Sequence, residues 1–182
     1  MINLSERFQL DRRSNILDTP NYESDTFLVV IDKYSNSKES FKGIFKNDRK
    51  VKGKWIFSNG DQYEGAIKNN SAHGKGKGVY KESGQIYLGQ FKNGAFHGKG
   101  TQKSKDGQVY VGNFKNGKNH GKGKMTFGDG YIYDGLWSNG LFDGKGIAEY
   151  SDGSIYDLKK GASPLTLIGH VSYTQLTMPT KA

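Results

Sequence analysis

The 182-residue chain contains no cysteine, which excludes a disulfide scaffold, thiolate zinc sites, iron–sulfur ligation and thiol catalysis. Proline is scarce too, and its three copies, Pro20, Pro164 and Pro179, all lie outside residues 41–156. No run of 18 apolar residues occurs, so the sequence offers no membrane-spanning helix. Apolar residues make up 34% of the chain and mean hydropathy is −0.75, little for a two-layer core, yet an aromatic share of 13% is too rich for a disordered chain. The start, Met-Ile-Asn-Leu-Ser-Glu-Arg-Phe, has no apolar stretch and is followed by Asp11. Secretory or organellar targeting is therefore not expected, and an intracellular protein is.

What is abundant is glycine, and 24 of its 26 copies fall between Phe41 and Tyr156. The same block carries 19 Lys and Arg against 10 Asp and Glu, so the net charge of +9 belongs to it. These shifts divide the chain into residues 1–40, a central block at 41–160, and a tail at 161–182. Within the block a period emerges. Tyr63, Tyr87, Tyr110, Tyr133 and Tyr156 are spaced by 24, 23, 23 and 23 residues. With each tyrosine as position 0, glycine recurs at 2 (Gly65, Gly89, Gly112, Gly135), at 11 (Gly74, Gly98, Gly121, Gly144) and at 13 (Gly76, Gly100, Gly123, Gly146). Position 4 holds Ile67, Phe91, Phe114 and Trp137. A degenerate copy leads from Phe41, and a truncated one closes from Tyr156 and departs from the pattern at Leu158, where glycine is expected.

Periodicity inside each unit is two rather than 3.6, so positions 0, 2 and 4 share one face of a strand, and 11, 13 and 17 are expected to share one face of the next. Asn93-Gly94, Asn116-Gly117 and Asn139-Gly140 close the first strand, and Asp106-Gly107, Asp129-Gly130 and Asp152-Gly153 the second. These dipeptides suit turns that require positive φ. The unit is a β-hairpin, and the array an all-β, single-layer antiparallel meander of roughly five units. Glycines leave a bare strip over which aromatic rings can lie. In the flanks, Phe27–Ile31 reads as a strand at the leading edge. Leu165–Ile168 and Val171–Tyr173 read as extended material able to cap the other end.

The segments YEGAIKNN, YLGQFKNGAFHGKGTQ, YVGNFKNGKNHGKGKMTF and YDGLWSNGLFDGKGIAEY closely resemble the MORN (membrane occupation and recognition nexus) repeat. The resemblance implies a groove-bearing β-meander used as a scaffold. Such arrays occur in radial-spoke heads of cilia and other cytoskeletal assemblies, in junctophilins at membrane junctions, and beside phosphoinositide kinase and SET methyltransferase domains. Only 26 residues follow Tyr156, so the enzymatic branches are not expected here, nor is a cofactor.

Two surfaces are candidates for binding. The column Tyr63, Ile67, Tyr87, Phe91, Tyr110, Phe114, Tyr133, Trp137 and Tyr156 packs units together at its inner edges. In a single layer its outer ring faces are expected to stay exposed and to hold a partner segment. Lysines recur at position 12 (Lys75, Lys99, Lys122, Lys145) and position 5 (Lys68, Lys92, Lys115). Their parity is opposite to that of the column, so they belong to the other face. They either keep an open-edged sheet soluble or meet an acidic protein surface or anionic lipid. Nucleic acid is disfavoured, because stacking rings and basic groups would have to share a face. A homodimer is compatible with the pattern.

His73, His97 and His120 recur at position 10. Equivalent positions in neighbouring units should lie about 10 Å apart, far beyond the reach of one metal ion. A ring hydrogen-bonded to backbone is expected instead, and no metal site. No G-x-x-x-x-G-K-[ST] or G-x-S-x-G occurs, so no catalytic residue is assigned. The expectation is a non-enzymatic subunit of a ciliary or other cytoskeletal assembly. A lipid-binding peripheral module is the alternative.

Overall fold

The structure is a computed structural model that describes residues 28–33, 39–47 and 49–158. It holds twelve strands: β1 (Leu28–Lys33), β2 (Ser40–Lys46), β3 (Arg49–Ile56), β4 (Gln62–Lys68), β5 (Ser71–Val79), β6 (Ile86–Lys92), β7 (Ala95–Lys103), β8 (Val109–Lys115), β9 (Lys118–Thr126), β10 (Ile132–Ser138), β11 (Leu141–Glu149) and β12 (Ile155–Leu158). They form one sheet in chain order, each antiparallel to the one before. Consecutive pairing needs only short turns, which is why so few residues separate the strands. The segments read above as C-terminal caps lie outside the described residues.

Two turn chemistries alternate. At Asn93-Gly94, Asn116-Gly117 and Asn139-Gly140 both residues have positive φ, for example 51° and 81° at the first pair, as a two-residue hairpin turn matching the strand twist requires. At the opposite rim the aspartate keeps an ordinary φ and only the following glycine is positive. There the Asp129 Oδ1 accepts from Tyr131 N–H at 3.0 Å, and the Asp152 Oδ1 from Ser154 N–H at 2.8 Å. These turns gain a side-chain bond in place of a second strained residue.

Register places one glycine from each of ten successive strands in a single row. Gly43, Gly53, Gly65, Gly76, Gly89, Gly100, Gly112, Gly123, Gly135 and Gly146 pair in turn. The row stops at Leu158, which pairs with Gly146 and is buried. The residue that breaks the repeat is therefore a buried side chain at the end of the row.

Position 11 does not behave as its spacing predicts. Gly65 pairs with Gly76, whereas Ile67 pairs with Ala72, so one residue on β4 faces three on β5. The same shift follows Gly112 and Gly135. The extra residues form a bulge in which Gly74, Gly98, Gly121 and Gly144 take φ of 57° to 73°. A Cβ at Gly74 would approach Ala66, and one at Gly121 would approach Asn113, both position-3 residues of the opposite face. Glycine at 11 thus makes the bulge, and the strip is cleared by the glycines at 2 and 13.

Candidate functional site

Each position-0 ring before Tyr156 lies over two glycines of the row, one on its own strand and one on the next. A Cβ built on Gly89 or Gly100 would fall 2.5 Å from the Tyr87 hydroxyl. Phe41 covers Gly43 and Gly53 in the same way, and Tyr63, Tyr110 and Tyr133 repeat it. The hydroxyl then donates to the position-3 carbonyl that the bulge turns toward it. Tyr63 donates to Ala66 O at 2.6 Å, Tyr87 to Gln90 O at 2.8 Å, Tyr110 to Asn113 O at 2.9 Å and Tyr133 to Leu136 O at 3.0 Å. Burial pushes the Tyr87 and Tyr110 hydroxyls up to about 12 and raises those of Tyr63 and Tyr133, so all four remain donors throughout the neutral range.

Rings at position 4 interlock with this series. Phe91 stands edge-on to Tyr63 and Tyr87, both at 5.0 Å. Phe114 stands edge-on to Tyr87 and Tyr110, both at 5.0 Å, and Trp137 to Tyr110 at 5.1 Å and Tyr133 at 5.4 Å. Every position-4 ring therefore joins its own unit to the preceding one, in the edge-to-face geometry that ring quadrupoles favour. Trp137 adds a buried hydrogen bond from Nε1 to Gly123 O at 2.8 Å. In the first full unit Ile67 takes this place and is also buried.

The expected exposure of the outer ring faces is not what the structure shows. Of the nine column residues, eight expose 6% of their surface or less, and only Tyr156 is half-buried. Alternation reveals which face a ring occupies but not its depth, and here rings sink onto bare backbone and wedge against one another. A second tier is left at the surface, namely Trp55, Phe57, Tyr80, Phe142, Tyr150 and Tyr156, half-buried against the ladder. Phe96 and Phe142, both at position 9, stack on Tyr87 and Tyr133 at 3.8 and 4.1 Å. Sequence reading missed them because position 9 carries Ala72 and Asn119 in the other two units and so forms no column.

The histidine expectation needs correcting. The Nδ1 atoms of His73, His97 and His120 are buried without a hydrogen-bond partner. The backbone serves instead, since His97 O accepts from the Tyr87 hydroxyl at 3.4 Å. The bulge directs the carbonyl, not Nδ1, toward a partner. Among the described residues no cluster of potential metal ligands forms.

All seven predicted lysines are exposed, in two settings. Lys68, Lys92 and Lys115 sit at strand ends beside the asparagine turns and pair with Ser71, Ala95 and Lys118. Lys75, Lys99 and Lys122 lie mid-sheet opposite Gln90, Asn113 and Leu136, and Lys145 takes the same position on β11. On this face Gly43, Gly53, Gly65 and Gly76 floor a trough of about 680 Å³, walled by Lys42, Lys52, Lys54, Lys75 and Lys77 together with Glu64 and Leu88. Leu88 and Val111, 61% and 53% exposed, flank Thr101 in one cross-strand row there.

No curated protein sequence matches the chain significantly. Among solved structures, one it resembles is the TCP domain of SAS-4 (dCPAP) of Drosophila melanogaster, in complex with a proline-rich motif of Ana2 (dSTIL). The likeness has 14% identity and a TM-score of 0.42, and covers 78% of this chain and 84% of that one. The MORN repeat family profile matches five times, at residues 41–62, 63–81, 87–109, 110–130 and 133–155. These segments take in more than half of the chain and follow the period set by the stacked tyrosines, so the chain belongs to the MORN-repeat family.

Proposed function

We propose that this array is a non-catalytic protein-interaction scaffold that holds a segment of a partner protein along its aromatic face. The observation that carries this reading is the second tier of rings. Trp55, Phe57 and Tyr80 towards one end, and Phe142, Tyr150 and Tyr156 towards the other, lie half-buried on one side of a one-layer sheet, and apolar surface of this kind suits a partner better than water. In this reading the eight buried column residues, Tyr63 to Trp137, are the platform, and the second tier, which includes Tyr156 of the column, makes the contact. The family's distribution supports a ciliary, radial-spoke-like or other cytoskeletal assembly as the setting. A second reading, a peripheral module for anionic lipid, draws on the exposed lysines around Leu88 and Val111.

Two substitutions test the scaffold without attacking the fold, because each copies a sister repeat: Phe142→Asn copies Asn119, and Tyr150→Ser copies Ser104. The double variant should fold normally by circular dichroism and lose its protein partners in a pull-down analysed by mass spectrometry. An unchanged partner set would count against the aromatic face. Salt-sensitive flotation of the wild type with anionic vesicles, abolished by Lys99→Glu with Lys122→Glu, would favour the lipid reading.

A further inference from the structure

The two kinds of turn differ in where the glycine N–H goes. At the aspartate rim it stays inside the turn: Gly107 donates to Ser104 O at 3.2 Å, Gly130 to Phe127 O at 3.1 Å and Gly153 to Tyr150 O at 2.9 Å. At the asparagine rim it leaves the hairpin and reaches the preceding repeat. Gly94 donates to Ala72 O, Gly117 to Phe96 O and Gly140 to Asn119 O, all at 2.9 Å. The bulge makes these acceptors available. Pairing of β5 with β6 runs from Val79 to Gly74 and goes no further, so the Ala72 carbonyl accepts from the next turn instead. Pairing to the following strand ends at Gly98 on β7 and at Gly121 on β9 in the same way. Each asparagine turn is therefore latched to the unit before it.

The same glycine nitrogen is the nucleophile of asparagine deamidation. Once its proton passes to base, the Gly140 nitrogen can attack the Asn139 Cγ: the N–Cγ bond forms as the Cγ–Nδ2 bond breaks, and Nδ2 leaves as ammonia after taking up a proton. Water then opens the five-membered imide at one carbonyl or the other, giving aspartate or isoaspartate, the latter with an extra methylene in the main chain. Neither step needs an oxidant or a reductant. Glycine obstructs the attack least, because it has no side chain. The three turn tips also stand clear, since Asn93, Asn116 and Asn139 are exposed and a Cβ at Gly94, Gly117 or Gly140 would meet nothing within 4 Å. Water and base reach all three turns. What restrains the reaction is the latch, because the nitrogen cannot lose its proton or rotate toward Cγ without breaking the bond to the neighbouring carbonyl.

We propose that Asn139 is a site of spontaneous deamidation, kept latent by the hydrogen bond from Gly140 to Asn119 O, and that it reacts ahead of Asn93 and Asn116. The three turns share their backbone shape, with φ of 50° to 52° at the asparagine and 81° to 87° at the glycine, so the difference lies in what must open. In a repeat array each unit is held by its neighbours, and the outermost opens at least cost. Asn93 and Asn116 lie between complete repeats. Among the described strands, only β11 and the four-residue β12 follow the Asn139 turn. Isoaspartate there would lengthen a two-residue turn whose geometry sets the strand register, three residues before Phe142, whose ring lies 4.1 Å from Tyr133. The site stands at the rim of the sheet and is independent of which partner the array holds.

The test holds the full chain in warm, mildly alkaline heavy-oxygen water and reads uptake of the label at each turn by mass spectrometry of proteolytic peptides. In urea the three turns should react at comparable rates. In the folded chain all three should slow by about tenfold or more, a factor that an opening cost of about 1.4 kcal/mol already supplies, and Asn139 should lead. Trp137→Ala, which removes the ring joining this unit to the one before, should speed Asn139 by about tenfold or more and leave Asn93 unchanged. Phe142→Asn provides a milder loosening of the same unit if the first variant folds poorly. Labelling as fast in the folded chain as in urea would overturn the latch. A folded chain in which Asn93 or Asn116 leads, or in which no turn reacts, would overturn the assignment to Asn139, as would an Asn139 rate unmoved in a folded variant.

Discussion

Gly100→Val is expected to be among the most damaging single substitutions in the chain, lowering stability by about 3 kcal/mol or more. Gly100 lies between Gly89 and Gly112 in the glycine row, and a Cβ there would fall 2.5 Å from the Tyr87 hydroxyl and 2.6 Å from a ring carbon. Tyr87 cannot withdraw. Its other sides meet Phe91, Phe96 and Phe114, and its hydroxyl is tied to Gln90 O. Gly117→Ala separates this steric cost from the conformational cost of losing glycine. A Cβ at Gly117 meets nothing within 4 Å, but φ there is +81°, so about 1–2 kcal/mol of backbone strain is all that should appear. Urea unfolding followed by circular dichroism measures both. Equal effects of the two substitutions would mean that Gly100 serves backbone freedom and not a bed for the Tyr87 ring.

Trp137→Ala should cost about 3–5 kcal/mol from the lost ring, with about 1 kcal/mol more from the lost bond to Gly123 O. The location of the damage matters more than its size. Trp137 is the edge-on contact between Tyr110 and Tyr133, and in a repeat array each unit is supported chiefly by its neighbours. Hydrogen exchange should therefore show protection lost first in β10 to β12, while β4 to β7 keep theirs. Uniform loss across all strands would show that the sheet unfolds as one cooperative body. Intact protection would show that the ladder does not couple the repeats.

Much of this fold is legible in the sequence because backbone demands recur in register. Asn116-Gly117 announces a two-residue turn, and tyrosine followed two residues later by glycine announces a ring lying on its own strand. The bulge at Gly74, Gly98, Gly121 and Gly144 was not legible. Its existence depends on how many residues each strand spends between two cross-strand pairs, and strand alternation read along one chain carries no information about its partner. Ring depth was hidden for a related reason. Tyr87 is enclosed by Phe91 of its own strand, Phe96 of the next and Phe114 of the following repeat, three contacts whose geometry follows from register and the bulge. Part of the surface tier was obscured because position 9 is not uniform: Phe142 stands where another repeat has Asn119, whereas Tyr80 and Tyr150 fall at position 17 and Tyr156 at position 0. In a repeat protein the uniform positions build the sheet, and the variable ones give each unit a distinct surface.

Photo-crosslinking in the native setting distinguishes a partner on the ring-bearing face from one on the lysine face. A benzophenone side chain introduced at Tyr80 places the probe on the aromatic face, and one at Lys99 places it on the other. Discrete protein adducts are expected from position 80 and none of comparable yield from position 99. Adducts that form from position 99, with position 80 silent in a folded protein, would contradict the aromatic-face reading and assign recognition to the lysines.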